Sequence, residues 1–201
     1  MKVMLDTADD LDVAAAELGC EVEQLFTPLT RRKPKRPDQP FAIDNGAFSR
    51  FDEFGFVALL QRHEARQKLC RFVVVPDVPF SARRTLEVFE RWEKRHELDG
   101  WRLALAMQDG QEDMPIPWEL FACAFIGGST KWKDGPAAAA IVKAAIALGK
   151  WVHVGRVNTP GRFERFEALG AHSIDGTGLA QYTHMRCAIA DRHNRPLLID
   201  S

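Results

Sequence analysis

Residues 151–178 read WVHVGRVNTPGRFERFEALGAHSIDGTG, and the architecture of the chain can be worked out from this one stretch. A short apolar run, WVHVGR, ends at Arg156. A segment of helical period follows from Arg162 to Leu169 and stops at Gly170, where a helix C-cap belongs. A second short run, HSID, then ends at Asp175. Glycine tolerates the left-handed backbone that closes many helices. Run, helix and run together make a βαβ unit with parallel strands.

The same punctuation recurs on either side. Apolar runs end at Asp6 (VMLD), Asp44 (FAID), Asp77 (FVVVPD), Gln108 (LALAMQ), Gly128 (AFIGG) and Asp200 (LLID). Runs without alternation suit strands covered on both faces, as in parallel sheets. Between them, Leu86, Phe89 and Trp92 share one helical face, and so do Phe56, Leu60 and His63. The alanine-rich segment from Ala137 to Leu148 ends at Gly149. Eight strand candidates with crossovers predict a single α/β domain over residues 1–201, a compact (β/α)8 TIM-like barrel. An open doubly wound sheet is the alternative. The length lies near the lower limit for a barrel, so some helices must be short or missing. Pro115 and Pro117 leave room for only a brief helix before Phe125.

A formal net charge of -1 means that any nucleic-acid contact must come from a local patch. Cys20, Cys70, Cys123 and Cys187 are scattered without a CxxC pair, so neither a metal site nor a disulfide framework is expected. The opening MKVMLDTADD meets aspartates too early for a signal peptide. No apolar run approaches the roughly 20 residues of a membrane span. A cytoplasmic protein without a membrane partner is expected.

In a barrel the C-terminal strand ends converge on one face and build the site. This turns the run terminators into a ring: Asp6, Asp44, Asp77, Gln108, Gly127, Gly128, Arg156, Asp175 and Asp200. Any one strand-end aspartate also reads as a helix cap. Asp44 in FAIDNGAF and Asp175 in HSIDGTGLAQY are set apart by the glycines that follow, which let a ligand approach the backbone. Two carboxylates facing one cavity can divide their labour, one ionised as nucleophile and one with a raised pKa as proton shuttle. That division serves glycosidic bonds, although spacing alone leaves an aldolase or a phosphate-sugar isomerase open. Asp77 and Gln108 suit the amidine edge and carbonyl of a purine. Gly127 and Gly128 offer backbone N–H groups to the same ligand, or form a tight βα turn.

Basic residues cluster in TRRKPKRP, where Arg31, Arg32, Lys33, Lys35 and Arg36 lie between prolines. The segment reads as a phosphate-contacting arm or as a solvated loop. Lys131, Trp132 and Lys133 follow the FIGG turn, where the lysines can meet phosphates and Trp132 can stack on a base or pack. His153 reads as a satisfied core residue, His172 points either way, and His184 and His193 have no evident partners.

Taken in order, DNGAF, VVPDVP, AMQDG, FIGG and VHVGRVNTPGRFERFEALGAHSIDGTG resemble the tRNA-guanine transglycosylase superfamily over residues from about 25 to 182. The likeness is closer to the phage-type (DpdA-like) enzymes that insert 7-deazaguanines such as 7-cyano-7-deazaguanine into DNA. The resemblance implies that Asp175 attacks C1′ of the nucleoside and forms a covalent glycosyl-enzyme. Asp44 is then the general acid and base, Asp77 reads the purine edge, and Gln108 and Gly128 bind its carbonyl side. It implies no cofactor and no metal. Asn45 and Ala47 replace serine and glycine of the family's run after the first aspartate, which bears on base selection. The cysteine-rich zinc motif of the tRNA enzymes is missing, so DNA is expected rather than tRNA. The implied partners are nucleic acid, a purine or 7-deazapurine base, and proteins of a DNA-modification system. Two other functions stay open: an N-glycoside hydrolase on the same barrel, and a non-catalytic module that binds a base or nucleic acid.

Overall fold

Eight short parallel strands close on themselves in the computed structural model, which describes residues 1–7 and 9–191. They are β1 (Lys2–Leu5), β2 (Val22–Phe26), β3 (Phe41–Ile43), β4 (Cys70–Val74), β5 (Leu103–Met107), β6 (Cys123–Ile126), β7 (Trp151–Val154) and β8 (Ser173–Asp175). Each pairs with the next in chain order. The ring closes where Ser173, Ile174 and Asp175 of β8 meet Lys2, Val3 and Met4 of β1. The expected barrel is therefore present, and the open sheet is not.

One strand differs from the expectation. The LLID run at Asp200 lies outside the described residues, as does His193, and β8 closes on β1 without that run. The eighth strand is instead Val22–Phe26, whose five residues are all buried. Its sequence VEQLF hides the strand because Glu23 and Gln24 are polar. Glu23 is buried, and it accepts from Arg71 at 2.8 and 3.1 Å and pairs with Lys2 at 3.2 Å. A buried carboxylate is tolerable only with such partners.

The helices are α1 (Leu11–Leu18), α2 (Glu53–His63), α3 (Ala82–Trp92), α4 (Thr130–Lys133), α5 (Pro136–Ala147), α6 (Pro160–Ala168), α7 (Thr177–Gln181) and α8 (Thr183–Ala190). The helix expected from Phe56 to Leu69 is α2 only as far as His63, and a 3₁₀ segment, Glu64–Leu69, finishes it. The β5–β6 connection holds two single 3₁₀ turns, as its prolines imply. Residues 27–40, with four prolines, join β2 to β3 without any helix. These two economies fit eight strands into a short chain.

Strand side chains alternate between two apolar clusters. Val3, Ile43, Val73, Leu105, Ile126, Val154 and Ile174 face the helices. Met4, Leu25, Ala42, Phe72, Ala104 and Phe125 fill the barrel. Helix α6 presents Phe163 and Phe166, both fully buried, to the outer layer; burial of each is worth about 2 kcal/mol. Gly149 and Gly170 adopt φ of 69° and 86° after α5 and α6, the stops read from the sequence. Side chains fill the barrel interior, and in barrels of this kind ligands bind at the C-terminal mouth.

Candidate active site

The C-terminal mouth holds a pocket lined by Asp44, Asn45, Phe48, Asp77, Gln108, Phe125, Gly127, Gly155, Arg156 and Asp175, among others. Seven of these, Asp44, Asn45, Asp77, Gln108, Gly127, Arg156 and Asp175, come from the sequence-derived candidates. Asp6, the first of the ring, is instead tied up at the rim. It accepts from the Thr30 hydroxyl at 2.6 Å and from Arg32 at 3.1 Å, fastening the β2–β3 loop.

Asp175 ends β8 with its carboxylate at the pocket wall. Its Oδ1 lies 3.0 Å from His153 Nε2 and accepts from the Arg156 backbone N–H at 3.3 Å. His153 is fully buried and stacks on Phe125 at 4.9 Å between ring centroids. It is a core histidine, as its place in a strand implies, but one partner is the candidate nucleophile. On the other side of the ring, Nδ1 lies 2.9 Å from Ser173 Oγ, which accepts from Trp151 Nε1 at 2.8 Å.

Asp44 follows β3 in a tight turn, where its Oδ1 accepts from the Gly46 N–H at 2.7 Å. Gly46 has φ of 73°, the left-handed conformation such a turn requires. Burial pushes the Asp44 carboxyl up to about 7, and the negative charges of Asp175 and Asp77 push the same way against the Gly46 bond and Arg156. A carboxyl poised there can both give and take a proton at neutral pH.

Asp77 is held on both oxygens. Asn45 Nδ2 donates to Oδ1 at 2.9 Å and Gln108 Nε2 donates to Oδ2 at 2.6 Å. Burial raises its pKa, opposed by those two bonds. Asn45 also donates to the Val75 carbonyl at 2.9 Å, so it braces Asp77 against β4. Gln108 Oε1 accepts from the Phe80 and Gly128 N–H groups, both at 2.9 Å. The Gly128 N–H expected to face a ligand is thus bonded to Gln108, and the Gln108 amide is itself engaged at both ends. Both residues act in this structure as the frame around Asp77. Gly127 lines the pocket with no room for a side chain, because a Cβ there would stand 2.7 Å from Gln108 Nε2.

Arg156 and two phenylalanines complete the mouth. Phe48 and Phe80 are 57% and 51% exposed and meet edge to face at 6.0 Å, which sets apolar ring surface beside the pocket. The Arg156 guanidinium lies 4.1 Å above the Phe48 ring and donates to the carbonyls of Gly127 and Gly128. Arg156 (φ 61°) and Phe80 (φ 67°) hold left-handed backbone without being glycine. Such conformations cost about 1 kcal/mol or more each and gather at functional sites. At Arg156 the strained turn is what aims the backbone N–H at Asp175.

The basic candidates separate. Lys133 does not reach solvent phosphates: it is fully buried and donates to the Gly155 carbonyl behind the pocket. Burial lowers its ammonium to about 7, with Arg156 and Arg162 adding to the effect. Trp132 packs over Gly128, where a Cβ would come within 2.3 Å of its ring, and donates to Glu112 at 2.8 Å. It is a packing residue and not an open stacking platform. Lys131 is exposed. In the basic loop Arg31 and Lys33 are exposed, whereas Arg36 bonds Asp12 and the Val22 carbonyl, and Lys35 bonds the Asp9 carbonyl. The cluster works partly as a strap for a loop that lacks a helix.

Three residues of the site, Phe48, Phe80 and His153, do not stand out in the sequence as site residues, and Arg156 does so only as a run terminator. Phe48 has a signal in its place within DNGAF. His153 has little, since WVHV does not alternate in polarity and its inward parity emerges only from the pairing His153↔Ser173. Among the described residues no group of three His, Cys, Asp or Glu side chains could hold a metal ion, and no helix is long and apolar enough to cross a membrane.

No family model matches the chain, and the search of curated proteins gives no match. Solved structures do match. KGPDC from Streptococcus mutans superposes with a TM-score of 0.51 at 15% identity, over 96% of this chain and 94% of that one. A second structure of the same protein, with a ligand bound, gives 0.50 at 16% identity, over 96% of each chain. Phosphoribosyl anthranilate isomerase from Thermus thermophilus gives 0.48 at 14%, over 96% and 97%. At such identities the two KGPDC superpositions speak to the backbone and not to the chemistry, and with the closed ring of eight parallel strands the chain has a TIM-barrel fold.

Proposed function

We propose that this pocket exchanges a base at a glycosidic bond of nucleic acid, replacing guanine with a 7-deazaguanine such as 7-cyano-7-deazaguanine. The observation that carries the proposal is the pairing of Asp44, with its carboxyl raised to about 7, and Asp175 on one small pocket. In the first step a bond forms between a carboxylate oxygen of Asp175 and C1′ as the C1′–N9 bond breaks. The departing guanine takes the Asp44 proton. In the second step N9 of the incoming base attacks C1′, the aspartyl ester opens, and the N9 proton passes to Asp44. Two displacements retain the configuration at C1′.

Recognition of the base follows from the same residues. Asp77 has acceptor capacity beyond the bonds from Asn45 and Gln108, suited to the amino and N–H edge of guanine. Arg156 brings guanidinium donors to the same pocket for the carbonyl edge. Phe48 and Phe80 offer a flat apolar surface at the mouth for a base to stack on. DNA is the favoured polymer, with exposed Arg31, Lys33 and Lys131 as phosphate contacts.

The test is to incubate the protein with guanine-containing DNA and labelled guanine or 7-cyano-7-deazaguanine. Label entering DNA, and lost in Asp175→Ala, is the expected result. Release of guanine without incorporation makes the protein a hydrolase instead. Binding that never leads to exchange and ignores Asp175→Ala leaves a binding module.

A further inference from the structure

Behind Asp175 runs a chain of hydrogen bonds through Ser173 and His153, and for a singly protonated imidazole donor chemistry sets its direction. Trp151 Nε1 is only a donor, so Ser173 Oγ accepts from it at 2.8 Å. At the other end an ionised Asp175 only accepts, so the 3.0 Å contact requires a proton on His153 Nε2. That leaves Nδ1 of a neutral ring as acceptor, and the Ser173 hydroxyl donates its one proton there at 2.9 Å. Every proton then has an acceptor and every link runs the same way, from Trp151 through Ser173 and His153 to Asp175. The opposite tautomer would set a bare Nε2 against a carboxylate oxygen. His153 and Ser173 are fully buried, so no solvent competes for these groups.

We propose that His153 is a positioning residue for Asp175, held in its Nε2–H tautomer by Ser173 and Trp151, and that it selects which carboxylate oxygen attacks. Both donors that reach the carboxylate, His153 Nε2 and the Arg156 backbone N–H, meet Oδ1. Among the described residues no hydrogen-bond donor reaches Oδ2, which makes Oδ2 the attacking oxygen. Once Oδ2 has bonded to C1′, Oδ1 is the ester carbonyl. When the ester opens, negative charge returns to the carboxylate, and two donors already aimed at Oδ1 stabilise it without rearrangement. The second half of the exchange therefore depends on His153 more than binding of either base does. This role rests on the base-exchange reading of the pocket, but the tautomer does not.

Two measurements judge it separately. Nitrogen-15 NMR of the histidine side chains in the wild-type protein should show a protonated Nε2 and a hydrogen-bonded, unprotonated Nδ1 for His153, identified by its loss in His153→Gln. Ser173→Ala should perturb the Nδ1 signal. A protonated Nδ1, with or without a proton on Nε2, overturns the relay, whether or not the protein exchanges bases. Kinetically, His153→Phe keeps a flat ring between Phe125 and Phe72 but has no donor. It should lower kcat about 100-fold, the scale of one lost donor to a developing oxyanion. KM for the base should stay within about threefold, since that donor touches no base. His153→Gln restores a donor near the Nε2 position and should recover at least about tenfold of that loss. Equal losses in Phe and Gln variants with native folds, or a loss confined to KM, overturn the positioning role. Absence of exchange by the wild-type protein on any nucleic acid overturns the base-exchange reading instead, and the nitrogen signals still decide the relay.

Discussion

Replacing Asp44 by asparagine should make the protein more stable above neutral pH while removing the group to which the base-exchange proposal assigns proton transfer. The unfolded chain releases the Asp44 proton near 3.8 and the folded chain at about 7. Between those values the native state holds the extra proton, so each rise of one pH unit costs about 1.4 kcal/mol of stability. Across the whole window this reaches about 4 kcal/mol. Asp44 is only half-buried at the pocket wall, and solvent screening reduces the figure to about 2 kcal/mol. The asparagine would keep an Oδ1 acceptor for the Gly46 N–H, so the turn is preserved and the charge alone is removed. Urea unfolding at mildly acidic, near-neutral and mildly alkaline pH tests this. The variant should match wild type at about pH 4 and lead it by about 2 kcal/mol at about pH 8, equivalent to a Tm gain of roughly 4–8 °C in a chain of this size. Asp175→Asn removes one of the charges that raise Asp44, so in that background the Asp44→Asn gain should be smaller and level off at lower pH. A difference between wild type and Asp44→Asn that is the same at both ends of the range, or that favours wild type at the alkaline end, refutes the account of Asp44.

Further outcomes follow from the packing around the site. Gly128→Ala drives a Cβ to 2.3 Å from the Trp132 ring at a φ of 35°; a loss of about 2 kcal/mol is expected, and an unchanged denaturation midpoint would contradict it. Gln108→Leu strands the Phe80 and Gly128 N–H groups and frees Asp77. It should cost about 2 kcal/mol and raise KM for the base at least about tenfold in the exchange assay. Arg186 is fully buried on α8 and donates to Glu17, Asp9 and the Leu179 carbonyl. Arg186→Ala should remove about 3 kcal/mol, by emptying a buried side-chain site and stranding the Leu179 carbonyl, lowering Tm by roughly 6–12 °C; a calorimetric scan that overlays wild type would show the cluster to be inert.

The fold was legible where strands are apolar throughout and helices end in glycine. Seven of the eight strands and the stops at Gly149 and Gly170 follow from local chemistry, since a strand covered on both faces cannot carry unpaired polar groups. The exception, β2, broke the pattern because Glu23 finds Arg71 from β4 and Lys2 from β1, partners that no short window of sequence brings together. The candidate carboxylates were legible for a related reason: strand ends in a barrel converge, so Asp44, Asp77 and Asp175 had to meet. What each of them touches was not. Trp132 and Lys133 follow a glycine turn as an exposed patch would, yet one packs on Gly128 and the other is buried against Gly155.

By itself, then, the sequence determined alternating strands and helices with acids at the strand ends, because strand periodicity, glycine stops and polar run ends are local properties; closure into a barrel came with the structure. Only the tertiary structure decided how the site is wired. It raised Asp44 by burying it and by bringing Asp175 and Asp77 beside it, engaged Gln108 and Gly128 with each other, and set Phe48 and Phe80 at the rim. It also placed His153 behind Asp175 through the pairing of β7 with β8. These depend on strand register and side-chain parity around a closed barrel, where residues distant along the chain come within hydrogen-bond reach.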